Sequence, residues 1–191
     1  MPSRLLFLIS ILCLTSVLHA QKEVPARFLV SGEYSFLSNS LDGVTGYHQG
    51  LNGFDASVAF GAWHNLRFKV DTSAYFGTNL GAPQHPYFLM GGPQYTFRIR
   101  KESVFAEGMG GTGGAGKTWA PNGEIGQTAS FAAFVGGGID TPIARRIAFR
   151  MEGGYQYSYF GLSSPVTTVP YRVPGLPTNF GRVSSGLVWS F

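Results

Sequence analysis

The residues with the most obvious chemical potential lie in Gly111 to Thr118, GTGGAGKT, which matches the phosphate-binding pattern G-x-x-x-x-G-K-[ST]. In that motif backbone amides cradle phosphates and Lys117 would pair with them. The motif requires a helix to follow. Here the chain continues WAPNGEIGQT, and two glycines and a proline oppose helix formation, so a Gly-rich strand end entering a loop is the expected structure. Three histidines follow the N-terminal 20 residues: His48, His64 and His85. A lipid-hydrolysing or acyl-transferring site needs a nucleophile, a base and an orienting group. His48 shares a segment with Ser40, but no close Ser/His/acid spacing is present, and the three histidines are too dispersed to suggest a metal site. The glycine runs Gly91-Gly92 and Gly136 to Gly138 suit bends or large neighbours packed over bare backbone better than a ligand cradle. No catalytic, cofactor-binding or metal-binding set is therefore expected.

The elements that would carry these residues alternate rather than repeat with helical period. Eight stretches follow the two-residue period of strands: Ala26 to Ser38, Gly53 to Trp63, Leu66 to Gly77, Tyr87 to Arg100, Val104 to Gly111, Ala129 to Asp140, Ile147 to Tyr159, and the terminal Asn179 to Phe191. In the last, Val183, Ser185, Leu187, Trp189 and Phe191 share one face, and Arg182, Ser184, Gly186, Val188 and Ser190 the other. Pro93 predicts a bulge or a break in pairing. The phase of Val104 to Gly111 rests on Glu107, assigned to the polar face. The connections alternate in length. His64-Asn65, Lys101-Glu102 and Thr141 to Arg146 are short; Asn39 to Asn52, Thr78 to Pro86, Thr112 to Thr128 and Gly161 to Thr178 are long. The last carries Pro165, Pro170, Pro174 and Pro177 with Tyr171 and Arg172, a stiff loop suited to presenting a surface.

Residues 1–20 read as a secretory signal: Arg4, then the apolar run Leu5 to Leu14, then a stretch ending at Ala20. The only cysteine, Cys13, lies inside that run, so residues 21–191 hold none, which excludes disulfide and thiol chemistry. Removing the signal takes one of 14 Lys and Arg and none of 10 Asp and Glu, leaving a dispersed net charge of +3 that does not suggest nucleic acid. The rest is one domain, with 27 Gly, 16 Phe and 9 Tyr in the whole chain, a composition suited to strands.

Charge separates cleanly between the two strand faces. One set of faces carries Glu33, Asp55, Arg67, Lys69, Asp71, Arg98, Arg100, Glu107, Asp140, Arg150, Glu152 and Arg182, six acids and six bases. The opposite faces carry aromatics near both strand ends: Phe68, Phe97, Phe149 and Trp189, then Tyr34, Phe54, Phe76, Phe131 and Tyr157. A lumen filled by ion pairs, inside a lipid-facing wall with two aromatic girdles, accounts for both patterns. The expected fold is all-β, an eight-stranded antiparallel transmembrane up-and-down β-barrel spanning residues 21–191. An even strand number with short turns on one side places both termini in the periplasm.

These segments, with YFLMGGPQYTF, IAFRMEGGYQYSYF and NFGRVSSGLVWSF, resemble the small outer-membrane β-barrel superfamily, which includes the membrane domain of outer-membrane protein A and the opacity-type proteins. The resemblance implies contact with outer-membrane lipids, and recognition by the barrel-insertion machinery of the terminal strand ending at Phe191. A monomeric, non-enzymatic, structural or surface-binding protein of the bacterial outer membrane is expected. The alternatives are a lipid A-modifying enzyme and a small porin or channel.

Overall fold

In a computed structural model of the protein the described residues are 28–40, 48–63, 65–79, 82–114, 117–120, 123–128, 130–163 and 176–191. Residues 1–20, with Cys13 and the expected cleavage site, lie outside them, as do His64 and the prolines at 165, 170 and 174. All elements among the described residues are strands: β1 (Phe28–Ser40), β2 (His48–Trp63), β3 (Leu66–Asn79), β4 (Ala82–Gln84), β5 (Tyr87–Ile99), β6 (Glu102–Gly114), β7 (Lys117–Ala120), β8 (Gly123–Thr128), β9 (Ser130–Ala144), β10 (Ile147–Ser163) and β11 (Leu176–Ser190).

Eight of these close into an antiparallel barrel in the order β11-β1-β2-β3-β5-β6-β9-β10, with β10 pairing back to β11. They are the eight stretches read from the alternation. β4 pairs with the end of β3, while β8 pairs with the end of β10 and with β7, so β-structure runs past the long-connection end of the wall. Following cross-strand partners from Val188 through Ser31, Ser57, Asp71, Met90, Gly111, Ala132 and Ser158 returns to β11 at Thr178. One circuit thus displaces the register by ten residues along the strand. With eight strands this stagger tilts them by roughly 40° and leaves a lumen just wide enough for side chains to fill.

Closure rests on β1 and β11, which pair from Leu29↔Ser190 to Asn39↔Phe180. Gly186 sits opposite Glu33 at this seam, diagonal to Gly32, which pairs with Leu187. A Cβ on Gly186 would stand 2.1 Å from the Gly32 carbonyl oxygen, so only glycine lets the two strands meet. The short connections are tight. Asn65 (φ 70°) turns β2 into β3, Arg100-Lys101 joins β5 to β6 with Arg100 at φ 59°, and Arg145-Arg146 joins β9 to β10. Strand β9 therefore extends through Thr141 to Ala144, which the sequence reading placed in a turn. Pro142 is accommodated by a register shift at Ile147/Ala148. At Pro93 the pairing with β6 lapses between Gly91↔Gly110 and Gln94↔Glu107 without changing register: a break in pairing and not a bulge.

Candidate functional site

The phosphate-binding motif resolves into strand. Gly111, Gly113 and Gly114 of β6 pair with Met90, Phe88 and Tyr87 of β5, and Lys117 opens β7, so no helix N-terminus follows the glycines. A Cβ on Gly111 would meet the Leu89 carbonyl oxygen at 2.1 Å, and one on Gly113 the Phe88 ring at 2.4 Å. Strand packing explains these glycines, as it does Gly136 and Gly154 beneath the Phe134 ring and Gly138 beneath Phe105. His48 heads β2 and does not lie in a loop; its Cα is opposite that of Ser40. His85 is exposed, its ring 5.9 Å from that of Phe76.

The barrel wall faces as the alternation implies. Phe54, Phe68, Phe76, Leu89, Phe131, Met151, Trp189 and Phe191 all point outward. The inward face carries the charges, in a connected network near mid-barrel. Lys69 on β3, with no side-chain exposure, donates from Nζ to Glu107 Oε1 of β6 at 2.9 Å and to Glu152 Oε2 of β10 at 2.7 Å, and lies 3.8 Å from Asp71. Gln94 Nε2 donates to Glu107 Oε2 at 2.8 Å. Arg182 on β11 crosses the lumen to Asp71 (Nη2 to Oδ2, 3.0 Å), contacts Asp55, and reaches Glu152 at 3.4 Å. Arg150 holds Asp140 in a two-pronged pair, Nε to Oδ1 at 2.7 Å and Nη2 to Oδ2 at 2.8 Å. The guanidinium of Arg150 lies 4.5 Å from the Phe105 ring centroid, and that of Arg182 4.9 Å from Phe134. Planar cations stack on aromatic faces while their edges donate, so each arginine is both paired and packed.

The composition of this network differs from the six-and-six balance expected. Glu33, Asp55, Asp71, Glu107, Asp140 and Glu152 are all buried, but of the six bases only Lys69, Arg150 and Arg182 are. Arg67 is half-buried and donates to Thr96 Oγ1 at 3.1 Å, whereas Arg98 and Arg100 are exposed beside the short turns. The lumen is therefore acid-rich among the described residues. Glu33 shows the consequence: its nearest cation is Arg150 at 3.9 Å, and neither carboxylate oxygen accepts a protein hydrogen bond.

A second layer, absent from the sequence reading, fills the lumen toward the long-connection end. Leu37, Leu51, Tyr75, Phe88, Met90, Met109, Ala132, Phe134 and Phe180 form one buried apolar cluster. Phe88 packs edge-on against both Tyr75 and Phe180, at centroid distances of 6.0 and 6.4 Å. The Tyr75 hydroxyl meets Ser35 Oγ at 2.9 Å, tying this layer to the polar one. The alternation did signal these residues, since each shares a face with charged residues of its own strand.

This closed, filled barrel has close parallels among solved structures. Neisserial surface protein A aligns over 88% of this chain and all of its own, at 16% identity and a TM-score of 0.65. Ail, the attachment invasion locus protein of Yersinia pestis, aligns over the same shares at 16% identity and 0.57. Outer membrane protein OprG of Pseudomonas aeruginosa covers 90% of this chain and 99% of its own, at 12% and 0.55. The chain has the fold of the small outer-membrane β-barrels. No protein-family model matches the sequence, and no curated protein does.

Proposed function

We propose that this protein is a non-enzymatic barrel of the bacterial outer membrane, with a structural or surface-binding role exercised through its long connections. Residues 1–20 direct export and are removed. Both termini lie in the periplasm, and the strand ending at Phe191 is the element read by the insertion machinery. The observation that carries this reading is the filled lumen: a hydrogen-bonded charge layer beneath a packed aromatic layer leaves transport little room. Activity beyond the barrel wall then falls to the long-connection end, where β4, β7 and β8 extend the sheet. One fold neighbour, Ail, has been solved with the heparin analogue sucrose octasulfate, which supports surface contact as the class of role.

Membrane fractionation with heat-modifiable gel migration tests the placement, and planar-bilayer recording with lipid A profiling tests the role. The expected results are a heat-modifiable outer-membrane band, no stable large conductance, and the same lipid A profile with and without the protein. A mature form soluble in the periplasm would refute the topology. Stable ion-selective currents would make it a channel. A changed lipid A profile that reverts in His85→Ala or His48→Ala would make it an enzyme.

A further inference from the structure

Two of the cations expected in the lumen, Arg98 and Arg100, lie instead at its short-turn end, where Lys101, Arg145 and Arg146 of the turns join them. Arg98, Arg100 and Lys101 flank the β5–β6 turn, and Arg145 and Arg146 form the β9–β10 turn; all five are exposed. Because β6 pairs with β9, from Ser103↔Asp140 upward, the two turns adjoin. Glu102 and Asp140 are carboxylate side chains on the same strands, and Asp140 is held by Arg150; the backbone N–H of Ser190 donates to the Arg146 carbonyl oxygen, which brings the end of β11 to the same turn. The opposite side of the same rim, formed by β11, β1, β2 and β3, carries Phe28, Trp63, Asn65 and Phe191, with half-buried Arg67 its only charged side chain among the described residues. The basic patch is thus confined to one side.

Its depth is marked by the residues beside it. Tyr95, Ile99, Ile143 and Phe149 point outward on the strands that lead into these turns. Aromatic and apolar side chains that end in a cluster of Arg and Lys mark the boundary between acyl chains and headgroups. Arg100 adds a second argument. It holds φ 59° in a two-residue turn, where glycine or asparagine would be unstrained. The turn geometry therefore does not account for an arginine at this position.

We propose that this patch binds the phosphate-bearing headgroups of anionic phospholipids in the leaflet that surrounds the short turns. Guanidinium groups suit the task because their paired N–H donors match phosphate oxygens. The proposal rests on the periplasmic placement of those turns, which puts them in the phospholipid leaflet.

The test uses protein purified from the membranes of cells expressing the whole chain, reconstituted into phosphatidylcholine vesicles containing a minority of phosphatidylglycerol. Spin-labelled versions of each lipid report which is held at the barrel. The native chain should favour phosphatidylglycerol by more than about fivefold, the contribution of one engaged cation at a charged surface. The preference should fall as salt rises. The variant Arg100→Asn/Lys101→Gln/Arg145→Gln/Arg146→Gln should lose it while keeping heat-modifiable migration. Equal preference in both proteins, or none in either, overturns the proposal, and so does retention of added lipid A in place of phosphatidylglycerol. A separate readout isolates the topology: labelling of Lys101→Cys by an impermeant thiol reagent on intact cells would overturn the periplasmic placement whatever the lipid result.

Discussion

Lys69 is the cation on which three buried carboxylates depend, and replacing it with methionine tests whether the lumen network holds the barrel together. Methionine keeps most of the unbranched stem, so the cavity contribution is small. The loss is electrostatic. The hydrogen bonds to Glu107 at 2.9 Å and Glu152 at 2.7 Å are both charge-assisted, and each contributes about 1.5–3 kcal/mol. Without Lys69, Glu107 keeps only the Gln94 amide, and Glu152 and Asp71 must share Arg182 with Asp55. Removing one partner from a buried ion cluster costs about 3–5 kcal/mol. Lys69→Met should lower stability by that amount in denaturant titrations of the detergent-solubilised barrel, followed by the heat-modifiable gel shift. The double variant Lys69→Met/Glu107→Gln should be more stable than additivity of the single changes predicts, by about 1 kcal/mol or more, because the second change removes a carboxylate that the first has left stranded. A single-variant loss below about 1 kcal/mol, or strict additivity, would show that the network fills space without stabilising the fold.

The remaining predictions concern neighbouring parts of the structure. Glu33→Gln should be neutral or stabilising by up to about 2 kcal/mol in the same titration, because a buried carboxylate with no protein hydrogen bond is replaced by a neutral group of the same shape. A loss above about 1 kcal/mol would mean that its 3.9 Å approach to Arg150 is a working ion pair. Phe134→Ala should cost about 3–5 kcal/mol by opening a cavity in the apolar layer and stripping the ring from Arg182. If that layer is the seal, bilayer recordings of the folded fraction should show new, small conductance events. Gly186→Ala should cost about 1–3 kcal/mol and slow refolding into lipid, since its methyl group strikes the Gly32 carbonyl at the closing seam.

Much of this architecture is legible in the sequence because strand alternation is local. The facing of Glu107 on β6, where the pattern is weakest, and of Arg150, Glu152 and Gln156 on β10 follows from counting by twos. So do the outward Trp189 and Phe191. Strand number follows from the eight stretches, and closure from the need to leave no unpaired edge in a bilayer. Strand ends are less legible. Residues 48–52 and 161–163 read as loop because they are rich in Gly, Ser and Asn or lie next to such stretches. They pair nonetheless, since β1 and β2 remain in register as far as Ser40↔His48.

Depth in the lumen is what alternation cannot supply, and both corrections arise there. A face is set by one strand, whereas a height is set by the ten-residue stagger accumulated over all eight. Arg98 shares its strand face with Gln94, yet four residues along a tilted strand carry it from the charge layer to the rim. Removing Arg98 and Arg100 from the lumen, and leaving Arg67 half-exposed, turns an apparently balanced set of charges into an acid-rich one and creates the basic rim. The apolar layer was missed for a related reason. Treating each charge-bearing face as wholly polar assigns the lumen one chemistry from end to end. In fact a single face changes with height: β3 passes inward from Lys69 and Asp71 through Ser73 to Tyr75, and β9 from Asp140 past Gly138 and Gly136 to Phe134 and Ala132. Two strands three positions apart around the barrel change in the same direction, which identifies a layer built across the lumen. A reading that counted both period and distance from the short turns would have found it.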